Sequence, residues 1–202
     1  MMGSKGEHEE NMTNETTDAR VAELHKEIIN MQKAFDVLNQ ELEKWKYFAQ
    51  RDEMTEVLNK REGMRLLQKE IEIARAMKKS LSICFVDIDE LKKVNDCYGH
   101  VAGDNLIIDT ARIIKQSIRK YDNVFRFGGD EFVIIFPDTS FQAAEEVWCR
   151  IERSIMLFNQ QATRYTIKVS HGICEYPSDT ELSLTQYLAM ADIEMYERKK
   201  MK

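Results

Sequence analysis

Acids placed at the ends of apolar runs are where chemistry could begin in this sequence, and the first such place is Arg126-Phe127-Gly128-Gly129-Asp130-Glu131-Phe132. Apolar runs over residues 123–127 and 132–136 flank it. Two adjacent glycines between such runs predict a β-hairpin whose turn residues take positive φ. The turn brings Asp130 and Glu131 to its tip. Gly128 and Gly129, lacking side chains, let a bulky anion approach the backbone, and the two carboxylates offer hard oxygens suited to a Mg²⁺ that carries a nucleotide's phosphates. A surface hairpin with solvated acids is the competing reading, and four residues do not decide between the two.

A second acidic place lies in residues 81–89, Leu-Ser-Ile-Cys-Phe-Val-Asp-Ile-Asp, a near-continuous apolar run that stops in acid. Such a run predicts a buried strand. If that strand lies beside the hairpin in one sheet, Asp87 and Asp130 converge at one edge. There they could bridge two divalent ions roughly 3.5–4 Å apart, the arrangement used for in-line displacement at phosphorus. The alternative, that the two aspartates cap the next helical turn, suits Asp89 better than Asp87.

Phe85-Val86-Asp87-Ile88-Asp89, then Lys92, Asn95-Asp96, Gly99-His100, Gly103-Asp104 and the hairpin 128–132 together resemble the GGDEF-domain diguanylate cyclases. The resemblance runs from about Asp52 to Lys199, with the motifs in family order and spacing. It implies condensation of two GTP into cyclic di-GMP and two pyrophosphates across a homodimer, with two Mg²⁺ (or Mn²⁺) in each active site. By the same resemblance Asp87 and Asp130 are side-chain metal ligands and Ile88 a backbone-carbonyl ligand. Glu131 is the second acid, holding metal or taking the attacking hydroxyl's proton. A carboxylate beside Mg²⁺ stays ionised, which suits ligation more than general-base duty. Lys92 and Lys199 match phosphate-contacting lysines, Glu90 and Leu91 match positions whose backbone N–H groups reach phosphate, and Gly128 and Gly129 border the substrate.

Base selection by resemblance rests on Asn95 and Asp104. A carboxylate accepts from guanine N1–H and the exocyclic amine, a donor pair adenine lacks, and an amide adds one donor and one acceptor. Without the resemblance, a helix N-cap after Gly103 is the lesser, second reading of Asp104. His100 reads as a packing residue of its turn rather than a base. Arg119-Lys120-Tyr121-Asp122, just before the hairpin, resembles the family's product-inhibition site, with Arg150 matching a second arginine that the family draws from the partner domain. An arginine plane can pair with phosphate and stack on guanine. An ordinary surface ion pair is the other reading.

Two departures from the family pattern stand out. The opening segment Asp52-Glu53-Met54-Thr55-Glu56-Val57 carries Glu56 where the family has Gly. After Lys199 the family continues to a Gly-Arg-Asn tail whose arginine contacts phosphate. That arginine is absent from this sequence, which implies weaker triphosphate binding or substitution by Lys200 or Lys202. A catalytically silent GGDEF-fold receptor for cyclic di-GMP is the alternative function, but silent binders typically lose the hairpin acids and both are present here.

The elements that must position these residues follow from periodicity. Apolar residues at Val21, Leu24, Ile28, Met31, Phe35, Leu38, Leu42, Trp45 and Ala49 alternate by three and four. They predict a helix over 21–50, roughly 43 Å long at 1.5 Å per residue, whose narrow stripe suits a two-stranded coiled coil. Residues 1–20, almost without apolar side chains, are expected to be flexible. Helices are predicted over 60–79, 102–120, 141–159 and 182–199, and strand over 165–176, within a domain spanning 51–202. The fold class is α+β: an antiparallel-rich sheet packed with helices. The resemblance implies a nucleotidyl-cyclase-like palm with a central five-stranded sheet behind the coiled-coil helix.

Composition narrows the partners. The 202 residues carry a formal charge of −6, which argues against an extended nucleic-acid contact face. No apolar run approaches the ~20 residues that cross a bilayer, and residues 1–20 lack the apolar core of a signal peptide, so a cytoplasmic chain without a membrane segment is expected. Cys84, Cys97, Cys149 and Cys174 lack metal-site spacing and read as reduced core thiols.

Overall fold

The computed structural model describes residues 4–162, 164–177 and 182–201. Lys202, named above as a possible phosphate contact, lies outside them. The chain divides into two compact units, Met1–Ala49 and Gln50–Lys202. The first is occupied by helix α1, Ser4–Gln50. It begins ahead of Val21, where the apolar repeat starts. The preceding stretch holds no proline, so nothing in the sequence breaks the helix there.

The second unit follows the order α2 (Lys60–Met77), β1 (Leu81–Ile88), α3 (Leu91–Tyr98), α4 (His100–Ser117), β2 (Asn123–Arg126), β3 (Glu131–Pro137), α5 (Phe141–Gln161), β4 (Val169–Glu175) and α6 (Leu184–Lys200). Among the described residues one four-stranded sheet forms, in the order β2-β3-β1-β4, with every neighbouring pair antiparallel. The resemblance implied five strands. At the β2 edge only Leu58 adds to the sheet, through a single parallel bridge to Phe125. Strand β4 starts at Val169 rather than near 165, because Ile167 bonds to the side chain of Asn159 at 2.7 and 2.8 Å instead of to a neighbouring strand.

Alternation along the strands explains the two-sided core. Cys84, Val86 and Ile88 of β1 pack with Leu106, Ile114, Val147, Trp148 and Ile151 of α4 and α5. Leu81, Ile83 and Phe85 pack with Leu67 and Ile71 of α2 and with Tyr187 and Ala191 of α6. Strands β1 and β3 are therefore covered on both faces, which is why their sequences are near-continuously apolar up to the acids at their ends.

Four smaller expectations are corrected. Neither Gly128 nor Gly129 takes positive φ; Gly99 is the positive-φ glycine among the described residues. The hairpin is closed by a wider loop, in which Glu131 O accepts from both Phe127 N (2.8 Å) and Gly128 N (3.3 Å). Residues 91–98, for which no helix is predicted above, form one that fully buries none of its residues, although Leu91 and Val94 pack partly buried against the core. Cys97 and Cys149 are exposed rather than in the core, and His100, opening α4, is exposed rather than packed. Among the described residues no helix is long and apolar enough to cross a membrane.

Candidate active site

Pairing of β1 with β3 brings the two acidic places together. Asp87 sits opposite Glu131 in the register, and Ile88 N donates to Asp130 O at 3.1 Å. On the other side of β1, Asp87 faces Ser170 of β4. Asp89 accepts from the Ser170 hydroxyl at 2.9 and 3.0 Å, so it is tied to β4 and does not cap α3. The N-cap of α3 is Glu90, in the left-handed region at φ 62° with no side-chain cap bond.

Lys199 in the last turn of α6 hydrogen-bonds Asp87 and lies 3.5 Å from Asp89 Oδ1. Burial pushes the Asp87 carboxyl up; the Lys199 contact pulls against it, while Asp130 and Asp89 add to the rise. Burial, followed by the charges of Asp130, Asp87 and Asp192, likewise raises Glu131 against the pull of Lys60. Hard carboxylate oxygens crowded until protonation becomes easier form a donor set whose repulsion a divalent cation would relieve. Asp87, Asp130, Glu131 and the Ile88 carbonyl therefore fit such an ion by chemistry, although among the described residues no three ligating side chains already converge as a closed cluster.

The remaining candidates lie on the helices after β1. Leu91, Lys92 and Asn95 belong to α3, and Asp104 is exposed within the first turns of α4. Because α4 is capped at Gly99, Asp104 is inside the helix and the N-cap reading falls away. A side chain at Gly103 would come within 1.9 Å of Asn95 Oδ1, so this glycine is what leaves room for the Asn95 amide between the helices. Glu90 is held by Lys93 at 2.5 Å and Lys168 at 2.9 Å, which, acting together, pull its carboxyl down to about 2.

The Arg119–Asp122 pair lies elsewhere, along a groove of about 270 Å³ that Lys115 and Lys120 also line. Asp122 is only 8% exposed and accepts from the Arg119 backbone N–H at 2.8 Å. Burial raises its pKa, opposed by that bond and by the charges of Arg119 and Arg150. Arg150 therefore stands near Asp122 of its own chain, where its Nε donates to Ser117 O at 2.6 Å.

Residues that the motifs did not flag complete the site. Arg126 donates to Gly129 O at 2.7 Å, to Gly128 O at 3.2 Å and to Asp52 at 3.1 Å, clamping the glycine turn to the segment that opens the domain. Burial would raise Asp52, but hydrogen bonds from Thr55 and the Arg126 charge outweigh it and hold the carboxyl below its usual range. With side chains only 15% and 23% exposed, this pair is far better shielded than a surface ion pair. The one sequence signal was position: Arg126 immediately precedes the hairpin loop.

The family described as "Diguanylate cyclase, GGDEF domain" matches residues 49–202. Similar proteins include Diguanylate cyclase A of Treponema denticola, 37% identical over 126 residues, which cover 60% of this chain and 33% of that protein. Probable diguanylate cyclase DgcC of Escherichia coli K12 is 31% identical over 152 residues, covering 74% of this chain and 40% of that one. Among solved structures, the GGDEF domain of DgcB from Caulobacter crescentus in complex with c-di-GMP aligns with a TM-score of 0.66 at 26% identity, over 75% of this chain and 88% of that chain. The coiled coil and GGDEF domain of the same protein gives 0.71 over 92% and 95%, and at 24% identity it shows the fold alone. This chain belongs to the GGDEF-domain diguanylate cyclase family. It spans 33% and 40% of the length of those two curated relatives.

Proposed function

We propose that this chain is a working diguanylate cyclase that joins two GTP into cyclic di-GMP with release of two pyrophosphates. The observation that carries the reading is the β1–β3 register, which sets Asp87 opposite Glu131 with Ile88 bonded to Asp130. In this reading Asp87, the Ile88 carbonyl, Asp130 and Glu131 hold divalent cation, Mg²⁺ or Mn²⁺, two per site. Bound there, the cation supplies electrostatic stabilisation of charge on the phosphoryl oxygens. The chain's own residues do the rest. Lys92, Lys199 and the backbone N–H groups of Glu90 and Leu91 hold the triphosphate, Gly128 and Gly129 leave it space, and Asn95 with Asp104 read guanine.

One domain binds one GTP, so each must present its nucleotide to the 3′-hydroxyl held by a second copy. Dimerisation through residues 21–50 raises the effective concentration of the two facing sites. Arg119, Asp122 and Arg150 serve as a product site at which cyclic di-GMP holds domains with their active edges apart. That the c-di-GMP complex of the DgcB domain has the same fold supports this reading.

The test is incubation with GTP and Mg²⁺ and chromatography of the products. Cyclic di-GMP and pyrophosphate from GTP, and none from ATP, is the expected outcome; GTP left intact contradicts the proposal. In the same assay, added cyclic di-GMP should slow the parent but not Arg119→Ala, and equal slowing of both would remove the product site.

A further inference from the structure

Lys199, the lysine that meets Asp87 and Asp89, is carried by a helix end that apolar packing does not hold. Tyr187, Leu188, Ala191 and Met195 are the buried residues of α6, and everything from Tyr196 to Met201 is exposed or half-buried. Helix ends without buried contacts fray. Here the last turn is tied down by Arg198 instead. Its guanidinium reaches Glu145 of α5 at 3.0 Å, Glu194 one turn back at 3.1 Å, and His171 Nε2 of β4 at 2.7 Å.

An arginine can only donate, so His171 Nε2 is the acceptor and its ring proton sits on Nδ1. Trp148 stacks on the same imidazole, with ring centroids 4.0 Å apart and planes 22° from parallel, and Trp148 Nε1 donates to Glu152 at 2.7 Å. One side chain thus joins α5, β4 and α6. Consecutive helical residues point about 100° apart. The Arg198 tie on one side therefore fixes the direction in which Lys199 leaves the other.

We infer that Arg198 is a positioning residue for GTP, acting through Lys199: it pins the last turn of α6 to α5 and β4 so that the Lys199 ammonium stands over the end of β1. Arg198 makes its contacts with Glu145, Glu194 and His171 rather than with the acids at the end of β1. The inference rests on the cyclase reading above and deepens it.

Steady-state kinetics with GTP and Mg²⁺, and equilibrium binding of a non-hydrolysable GTP analogue, test it on five proteins: the parent chain, Arg198→Met, Arg198→Lys, Lys199→Gln and the Arg198→Met, Lys199→Gln double variant. Losing one charge-assisted contact predicts about a tenfold rise in KM for Lys199→Gln. Arg198→Met should raise KM and the analogue Kd about fivefold with kcat within about twofold, and Arg198→Lys should recover part of the loss. In the Lys199→Gln background, Arg198→Met should add less than about twofold, because the two residues act in series. Unchanged analogue binding by Arg198→Met, or a fivefold loss that persists in the Lys199→Gln background, overturns the inference while leaving the cyclase reading intact. A parent that neither binds the analogue nor turns over GTP overturns the cyclase reading, and this inference with it.

Discussion

Glu56 stands at φ 58°, in the left-handed region, within the segment that opens the catalytic unit. Its N–H donates to Asp52 O at 2.9 Å and its carbonyl accepts from Arg51 at 2.9 Å, so the turn cannot relax into an ordinary conformation without losing both bonds. A non-glycine residue held there costs on the order of 1 kcal/mol. Glu56→Gly should therefore stabilise the protein by roughly 0.5–1 kcal/mol, a rise in Tm of about 1–4 °C for a chain of this size. Thermal unfolding followed by circular dichroism checks it, and a fall in Tm would mean that the Glu56 side chain contributes more than its backbone strain costs. The place was legible through its departure from the family's glycine, but the conformation was not. At the same scale, the Arg126–Asp52 clamp was illegible because its partners come from distant stretches with no shared periodicity.

Helix α1 presents Met31, Phe35 and Trp45 of its apolar stripe at 72%, 63% and 72% exposure. Burying one such side chain is worth about 1.5–3 kcal/mol, so a second copy of the stripe is the natural cover. Deleting residues 1–50 leaves all but the first residue of the second compact unit, and sedimentation should change from dimer to monomer while activity becomes steeply dependent on protein concentration. A deletion variant as active as the parent at nanomolar concentration would contradict a dimerising role for this helix. Elements that bury a full face were readable in advance: α2, α4, α5 and α6 fell close to their expected spans because their stripes repeat every three or four residues. Helix α3 was not, since its eight residues give only the short spacing Leu91, Val94, Tyr98 and fully bury none of them, and it carries Lys92 and Asn95 all the same.

For the whole molecule, a two-fold symmetric product made by domains that each hold one nucleotide requires two copies facing each other. The acids that would serve that reaction were legible because chemistry forced them to the ends of apolar strands, where an acid interrupts an otherwise buried pattern. Their supports were not legible: Lys199 and Ser170 reach Asp87 and Asp89 only once α6 and β4 have folded onto β1, and Arg198 holds the turn that carries Lys199 through Glu145 and His171. The most direct measurement is product formation by Asp130→Asn beside the parent, at equal protein concentration with saturating GTP and Mg²⁺. The substitution conserves the shape of the hairpin and removes one charge from the crowded acidic edge, so the far-ultraviolet circular dichroism of the two proteins should coincide. The proposed mechanism predicts cyclic di-GMP from the parent and a loss of at least about a hundredfold in the variant. A folded variant that makes cyclic di-GMP at near the parent rate would contradict the assignment of this edge as the active site.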